Sequence, residues 1–295
     1  MRCVVYTAIV GDYDRIYAPA AIEPDIDYVA ITGPSDPRPP APWQHQSPLH
    51  YDRNPRMTSR WHKMHPHVLF PDHDVSLYVD GNVYLKGNAR PLVEQMSGAA
   101  SIALFRHPDR DFAYEEAEVI KRYRLDDAAI VDTQMAYYRM LGYPMKLGLF
   151  NGSILIRRHH DGKLVNFLED WWRQIKAFSH RDQLSLNFML LRHGIEAGII
   201  PGTLNDNPWF ATGPHKRHKV DLANNNCMDH CDEIDWLRRS MIASEERQAR
   251  DKAPKVFAKS LSWQAIELLR NVKRQVNRLT WRVPHPQKPT VKNLD

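Results

Sequence analysis

The alternation of short apolar runs with longer helical patterns is the feature that most constrains what this chain folds into. Runs rich in β-branched and apolar residues, each ended by polar or turn-forming residues, predict strands. The predicted strands cover residues 2–10, 26–32, 75–80, 100–105 and 152–158. The predicted helices cover residues 56–69, 89–97, 113–124, 128–141, 163–178 and 181–193. Because strands alternate with helices, we predict a three-layer α/β/α fold with a mostly parallel central sheet.

Two regions depart from this alternation. Residues 33–55 are rich in proline and polar side chains and predict a long surface loop. Beyond about residue 232, long charged helical segments follow one another without strands. We therefore expect a main domain at residues 1–232, a helical extension at 233–283 and a disordered tail at 284–295.

The composition excludes several classes of protein. With 43% hydrophobic and 25% charged residues it is ordinary for a globular protein. No apolar run approaches the ~20 residues of a membrane span, and the first residues predict a core strand rather than a signal peptide. Cys3, Cys227 and Cys231 provide no disulfide framework, which favours a reducing cytoplasm. Nucleic-acid binding is not expected, because the basic residues concentrate near the C-terminus without a recognised motif.

The segment Ser76–Asn82 ends an apolar run in an aspartate, a glycine and an asparagine. In open α/β sheets ligands bind beyond the carboxyl ends of the strands, so Asp80 is expected at a position suited to chemistry. The oxygen side chains of Asp80 and Asn82 predict ligands for a divalent cation, Mn²⁺ or Mg²⁺. Asp-Gly-Asn is also a good hairpin connection, and this segment alone does not decide between a site and a turn.

Two further segments place polar side chains at the ends of predicted strands. In Arg106–Asp111, His107 and Arg110 could hold a phosphate or sugar hydroxyls, or belong to a solvated, salt-bridged loop. Asn151 precedes the last predicted strand between two nearby glycines. An amide there can donate to and accept from sugar hydroxyls, or simply form part of a turn.

The remaining candidates lie later in the chain. Asp182 and Gln183 begin the last predicted helix, where Asp182 could cap the helix or, with Gln183, steady a positively charged sugar. His215 and Lys216 follow a Gly-Pro turn and suit a diphosphate, with His215 a candidate third metal ligand, or they form a basic surface loop. The cluster Cys227–Cys231 lacks the partners that a tetrahedral zinc site needs.

Taken in order, these segments resemble a family of glycosyltransferase-like domains, initially of unknown function, found in bacterial surface-polysaccharide proteins and plant mucilage and wall proteins. The resemblance covers roughly residues 1–220 and runs through YTAIVGDYD, DYVAIT, the Arg60–Lys63 helix, SLYVDGN, ALFRHPDRD, YEEAE, GLFNGSILIRRH and RDQLSLN. More distantly, the order resembles the retaining family-eight glycosyltransferases of GT-A fold. The resemblance implies a GT-A-like sheet and transfer of a hexose or pentose from a nucleotide sugar, a UDP-sugar above all, to a glycan or lipid-linked acceptor.

The resemblance also implies roles for individual residues. The donor-binding set comprises Thr7, Ala8, Tyr13, Arg60, Lys63, Asp80, Gly81, Asn82, His107, Arg110, His215 and Lys216. Asp80, Asn82 and His215 would hold the cation, and Asn151, Asp182 and Gln183 would face the transferred sugar and act in catalysis. The family-eight pattern has a second aspartate where this chain has Asn82, which keeps an oxygen ligand and drops a charge.

Residues 254–283 form a helical pattern with an apolar stripe on one side and mostly basic residues on the other. A basic amphipathic helix is typical of contact with an anionic membrane surface. A helix packed on the main domain or a dimerisation helix would carry the same pattern. We expect a cytoplasmic protein that is peripheral on the inner face of the cell membrane.

Two other function classes remain compatible with these residues. One is a metal-assisted hydrolase that uses Asp80, His107 and His215, and the other is a carbohydrate-binding or scaffold protein without turnover. A tight nucleoside-diphosphate site would separate a transferase from both.

Overall fold

The computed structural model describes residues 1–214, within which nine strands and seven helices form. The strands are β1 (Cys3–Ile9), β2 (Ile26–Thr32), β3 (Gln44–Gln46), β4 (Val75–Val79), β5 (Val83–Leu85), β6 (Ile102–Arg106), β7 (Phe150–Arg157), β8 (Gly198–Ile199) and β9 (Phe210–Thr212). The helices are α1 (Pro55–Met64), α2 (Pro66–Leu69), α3 (Arg90–Ala99), α4 (Ala113–Arg122), α5 (Ala128–Met140), α6 (Gly162–Ala177) and α7 (Gln183–His193).

Seven of these strands form the central sheet, in the order β3-β2-β1-β4-β7-β6-β8. Neighbouring strands run parallel except at β7, which lies antiparallel between β4 and β6. Strands β5 and β9 form a separate antiparallel pair. The sheet is therefore mostly parallel, as the sequence predicts.

Helices cover both faces of the sheet. Successive side chains of a strand point to opposite faces, so a strand can pack against helices on both sides. On one face, Val5 and Leu77 belong to a buried cluster with Leu92 and Val93 of α3. On the other face, the Tyr6 hydroxyl lies 3.1 Å from the Lys63 carbonyl oxygen of α1 and donates to it. These contacts give the three layers of the predicted α/β/α fold.

The structure differs from the predicted elements in two respects. The helix predicted at 56–69 is divided at His65, because Pro66 lacks an N–H and disfavours helical geometry in the residue before it. Strand β3 lies within the predicted loop at 33–55, and β5, β8 and β9 were not predicted. Each of these four strands has only two or three residues, which is too short to show a periodic pattern.

One edge of the sheet collects the polar segments that the sequence singles out. The parallel strands β1, β4 and β6 end there, and the antiparallel β7 begins there. The Asp80 N–H donates to the Ser153 carbonyl over 2.9 Å, and the His107 N–H donates to the Leu149 carbonyl over 2.7 Å. Asp80, His107 and the start of β7 therefore share this edge.

The predicted boundary at residue 232, the amphipathic helix at 254–283 and the tail at 284–295 lie outside the described residues. Within residues 1–214, none of the helices is both long and apolar enough to span a membrane.

Candidate active site

A cleft of ≈ 310 Å³ opens at the edge of the sheet where β4 and β6 end and β7 begins. The predicted site residues that line it are Tyr13, Arg60, Asp80, Gly81, Asn82, His107, Arg110, Asn151, Asp182 and Gln183. Lys63 lies directly beneath, because its ammonium group contacts Asp80 and Asp182. Thr7 and Ala8 are buried in β1 and do not line the cleft. His215 and Lys216 lie outside the described residues.

Helix α1 supplies the basic wall of the cleft. The Asn54 side chain caps its first turn by accepting from the Arg56 N–H at 3.0 Å, and Pro55 occupies the first turn, where no N–H is needed. Arg56, Arg60 and Lys63 follow at intervals of four and three residues. This spacing places the three cations on one face of the helix.

Four charged side chains meet at the floor of the cleft. The Lys63 Nζ lies 2.6 Å from Asp182 Oδ2 and 3.3 Å from Asp80 Oδ1. The Arg60 Nη1 lies 3.2 Å from the same Asp182 oxygen and 3.9 Å from the same Asp80 oxygen. The Tyr78 hydroxyl also donates to Asp80 Oδ1 over 2.9 Å. Two carboxylates and two cations thus form a compact, neutral cluster.

The cluster holds Asp182 and Arg60 in their charged forms. Burial alone would raise the pKa of the Asp182 carboxyl, but the charges of Arg60 and Lys63 hold that pKa well below its usual range. Burial would likewise lower the pKa of Arg60, yet Asp182 and Asp80 raise it above its ordinary value. Asp182 is therefore an ionised carboxylate at neutral pH.

The alternative readings of Asp80 and Asp182 as turn and cap residues have different outcomes. The Val83 N–H donates to the Asp80 carbonyl over 2.9 Å, so Asp80 begins a turn and also lines the cleft. Gly81 permits this turn to lie on β1, since a Cβ there would come within 2.1 Å of Ile9 Cδ1. Asp182 stands at the N-cap of α7 but makes no capping hydrogen bond, because its side chain pairs with the cations.

Sequence reasoning did not select a second group of cleft residues, which comprises Asp14, Arg56, Glu116, His180 and Arg181. Two sequence signals could have found part of it. Arg56 lies one helical turn before Arg60, and His180 and Arg181 directly precede Asp182. Burial and the charges of Arg60 and Arg181 lower the pKa of Arg56 to about 10. The cations are thus close enough to repel one another.

His180 is fixed between Arg56 and a buried carboxylate. Its Nδ1 lies 2.8 Å from Asp126 Oδ2, and its Nε2 contacts the Arg56 guanidinium. Burial lowers the pKa of His180 to about 4, despite the opposing influence of Asp126. The imidazole is therefore neutral at pH 7, with Nδ1–H donating to Asp126 and Nε2 accepting from Arg56.

His107 and Arg110 also line the cleft, where they contact each other. The Arg110 Nη2 lies 2.8 Å from His107 Nε2, and the Arg110 Nε pairs with Glu116. Burial, followed by the charge of Arg110, lowers the pKa of His107 to about 4. This loop is salt-bridged, and its His107 and Arg110 also line the cleft.

Three buried donors at the cleft have no hydrogen-bond partner in the part of the chain that the structure describes. They are Arg60 Nε, Arg181 Nε and Gln183 Nε2. Buried polar groups in folded proteins are almost always satisfied by protein, water or ligand. Residues that line the cleft therefore carry three donors that the described residues leave unsatisfied.

The described residues do not fit the predicted divalent cation. A cation of this kind needs several oxygen or nitrogen ligands within about 2.6 Å. Asp80 Oδ1 already accepts from Lys63 and Tyr78, and no group of three His, Cys, Asp or Glu side chains suited to a metal occurs in residues 1–214. His215, the third predicted ligand, lies outside these residues.

The family of the chain follows from a match to a family model. The TOD1/MUCI70 glycosyltransferase-like domain matches residues 46–199, which is more than half of the 295 residues. The chain belongs to the TOD1/MUCI70 glycosyltransferase-like domain family. The matched region of the TOD1/MUCI70 domain contains Arg60, Asp80 and Asp182 of the charged cluster. The family resemblance inferred from the sequence is confirmed.

Other comparisons add less. Among solved structures, the crystal structure of mouse xyloside xylosyltransferase 1 in its apo form is similar at 11% identity and a TM-score of 0.40. That similarity covers 68% of this chain and 84% of the mouse chain. Among curated proteins, none matches the chain.

Proposed function

We propose that this member of the TOD1/MUCI70 family transfers a sugar from a nucleotide-sugar donor to a glycan or lipid-linked acceptor in surface-polysaccharide synthesis. The observation that carries the proposal is the set of unsatisfied donors at the cleft, Arg60 Nε, Arg181 Nε and Gln183 Nε2. A sugar diphosphate presents many acceptor oxygens to such donors. Hydrogen bonds from charged groups to phosphate are also among the stronger ones in proteins.

The charge of the cleft supports an anionic ligand. The basic side chains at the cleft are Arg56, Arg60, Lys63, Arg110 and Arg181, and the acidic ones are Asp14, Asp80, Glu116 and Asp182. Basic groups exceed acidic groups by one among these described residues. The lowered pKa of Arg56 reflects burial and repulsion between guanidinium groups, and a bound diphosphate would relieve the repulsion.

A second cavity suits the nucleoside of the donor. It has a volume of ≈ 300 Å³ and lies beyond the ends of β1 and β2, where Ile9 and Thr32 line it. Asp14 lines both this cavity and the cleft, so the two are adjacent. A nucleotide sugar would therefore place its base and ribose here and its diphosphate among the arginines. UDP is the nucleotide we propose.

In the proposed reaction, the bond between the anomeric carbon and the diphosphate oxygen breaks, and the electron pair leaves with the diphosphate. An acceptor hydroxyl oxygen bonds to the anomeric carbon, and its proton passes to a departing phosphate oxygen. Arg60 and Arg181 would offset the developing phosphate charge. The ionised Asp182 would steady the positively charged sugar, while Gln183 and Asn151 would orient its hydroxyls.

Retention of the anomeric configuration is part of the proposal. It is supported by the order of Asn151 and Asp182-Gln183, which resembles the retaining family-eight pattern. Proton NMR of freshly formed product is the measurement. A product with the anomeric configuration opposite to that of the donor would contradict retention and leave transfer itself intact.

Calorimetric titration of the full chain with UDP, GDP, ADP and CDP tests the function. We expect one of them to bind with a Kd below about 1 mM. Arg181→Gln should weaken that binding by about tenfold or more, because a hydrogen bond to a charged group contributes about 1.5–3 kcal/mol. Arg173→Gln is the matched control, since Arg173 pairs with Asp170 away from the cleft. Its affinity should equal that of the unchanged protein.

Titration with free sugars and product analysis of the reaction discriminate the other two function classes. Binding of free sugars without any nucleoside diphosphate would indicate a carbohydrate-binding protein. Release of phosphate or sugar to water as the main reaction would indicate a hydrolase. The hydrolase is disfavoured because Arg110 Nη2 contacts His107 Nε2. This nitrogen of His107 is therefore not available to a metal or to water.

We also propose a cytoplasmic enzyme that is peripheral on the inner face of the cell membrane. The support is the basic amphipathic pattern at residues 254–283 together with the proposed lipid-linked acceptor. Co-sedimentation with anionic liposomes, comparing the full chain with one that ends at residue 253, is the test. Equal sedimentation of the two would contradict the proposal.

A further inference from the structure

We propose that Lys63 supplies the fixed positive charge beside Asp80, and that the cleft binds a nucleoside diphosphate without a divalent cation. The inference rests on the proposed function, because it concerns how the same cleft holds its donor. It replaces the cation expected from Asp80 and Asn82 by a side chain of the protein.

The first observation is the occupancy of one oxygen of the Asp80 carboxylate. Its Oδ1 lies 3.3 Å from Lys63 Nζ and 2.9 Å from the Tyr78 hydroxyl, and both groups donate to it. A metal ion would have to displace these donors to use that oxygen. The adjacent Asn82 brings no negative charge, which leaves Asp80 as the acidic side chain of this turn.

The second observation is the fixed position of Lys63. The residue is 0% exposed, and its Nζ lies 2.6 Å from Asp182 Oδ2 and 4.9 Å from the centre of the Tyr78 ring. Its backbone carbonyl accepts from Arg157 over 2.7 Å and from Tyr6 over 3.1 Å. The Lys63 ammonium group is thus buried between two carboxylates, and the backbone of the residue is fixed by two further hydrogen bonds.

The third observation is the balance of charge around the carboxylates. Lys63 and Arg60 both lie within 4.0 Å of Asp80 and of Asp182, so two cations neutralise two carboxylates. A divalent cation placed between Asp80 and Asp182 would be repelled by both cations, and the charges of these two carboxylates are already balanced. Asp80 is then a positioning residue that orients Lys63 and Arg60 toward the diphosphate.

The first experiment measures UDP binding to the full chain by calorimetry, once with EDTA and once with manganese. We expect the two Kd values to agree within about threefold. A gain of about tenfold or more with manganese, abolished by Asp80→Asn, would overturn the inference and leave the proposed function standing. Absence of UDP binding in both buffers, with no other nucleoside diphosphate bound, would overturn both.

The second experiment removes the internal cation. In Lys63→Ala, Asp80 and Asp182 face each other without the ammonium group, and the vacated space suits a hard cation. We expect UDP binding in EDTA to weaken by about tenfold or more, and manganese to restore most of it. Lys163→Ala is the control, because the Lys163 ammonium donates only to the exposed Gly194 carbonyl among its contacts in the described residues. Binding by Lys63→Ala that is unchanged in EDTA would overturn the inference.

A third measurement does not depend on whether Lys63→Ala folds. Manganese alone is titrated into the unchanged full chain and into Asp80→Asn, with bound manganese followed by electron paramagnetic resonance. We expect identical curves, since no manganese binds at Asp80. A saturable site present in the unchanged chain and missing in Asp80→Asn would overturn the inference.

Discussion

Lys63 and Arg157 are both basic side chains with 0% exposure, yet their surroundings differ in kind. The Lys63 ammonium group lies against two carboxylates at the floor of the cleft. The Arg157 guanidinium donates to neutral oxygens inside the molecule, the Lys63 carbonyl at 2.7 Å and the Tyr6 hydroxyl at 2.6 Å. The two side chains are therefore equally buried but differ in their partners. Lys63 forms ion pairs, whereas Arg157 donates hydrogen bonds to neutral oxygens.

The different partners of Lys63 and Arg157 show how helix α1 connects the charged cleft to the apolar sheet. Arg157, on β7, and Tyr6, on β1, bind the last turn of α1 through its backbone. From that anchored turn, the Lys63 side chain reaches the carboxylates of Asp80 and Asp182. We infer that Arg157 fixes the position of the helix, whereas Lys63 sets the charge of the site.

The largest effect is expected when the carboxylate partner of Lys63 is neutralised. Asp182→Asn leaves Lys63 and Arg60 with Asp80 as their remaining carboxylate in the cluster. Removing one partner of a buried ion pair leaves an uncompensated charge and costs about 3–5 kcal/mol. Urea denaturation at pH 7 should show a loss of unfolding free energy of about this size.

The matched control for Asp182→Asn is Asp170→Asn. Asp170 also pairs with basic residues, Arg173 and His193, but its side chain is 39% exposed. Exposed ion pairs contribute about 0–1 kcal/mol, so this variant should lose little stability. Similar losses in the two variants would contradict the distinction between a buried cluster and a surface pair.

A smaller loss of unfolding free energy is expected when Arg157, which donates to neutral oxygens, is replaced. Arg157→Met removes the donors to the Tyr6 hydroxyl and the Lys63 carbonyl, but it also removes a buried charge whose Nε has no partner among the described residues. Because Tyr6 still donates to the Lys63 carbonyl, we expect a loss of about 2 kcal/mol. Urea denaturation measures this loss of unfolding free energy. A loss as large as that of Asp182→Asn would contradict the distinction between the ion-paired Lys63 and the hydrogen-bonded Arg157.

The strand and helix pattern of the fold was predictable because it is local. Apolar runs and helical spacing placed every long element within a few residues of its position in the structure. The short strands were not predictable, since β5 pairs with β9 across the chain, Val83 opposite Thr212. Such a strand is defined by its distant partner rather than by its own sequence.

The candidate site was predictable to the extent that strand ends meet at one edge. That rule brought Asp80 and His107 together from sequence alone. Asn151, at the start of a strand, reaches the same edge because β7 runs antiparallel to β4 and β6. It could not show that Lys63 reaches Asp182, since contacts between residues so far apart in the chain depend on the tertiary fold. The expected cation came from the oxygen atoms of Asp80 and Asn82, without knowledge of the ammonium group that occupies Asp80.

The smallest predicted effect is a pH dependence of stability. It arises at the cleft, where His180 lies between Arg56 and Asp126. Burial lowers the pKa of His180 to about 4, whereas an unfolded histidine has a pKa of about 6.5. As the pH falls below 6.5, His180 binds a proton in the unfolded chain but not in the folded chain. The free energy of unfolding therefore falls as the pH falls. Burial would raise the pKa of Asp126, but hydrogen bonds from His180 and Ser179 lower it to about 2, so Asp126 stays ionised in this range.

The variant His180→Asn removes this proton uptake. Between pH 7 and pH 5.5 the unchanged chain should lose about 1 kcal/mol more unfolding free energy than His180→Asn, since a single group is responsible. Urea denaturation at the two pH values measures the difference. His45→Asn, at an exposed position in β3, should follow the unchanged chain. If His180→Asn lost as much stability as the unchanged chain over this interval, His180 would take up the same proton in both states, and its neutral, buried form at the cleft would be contradicted.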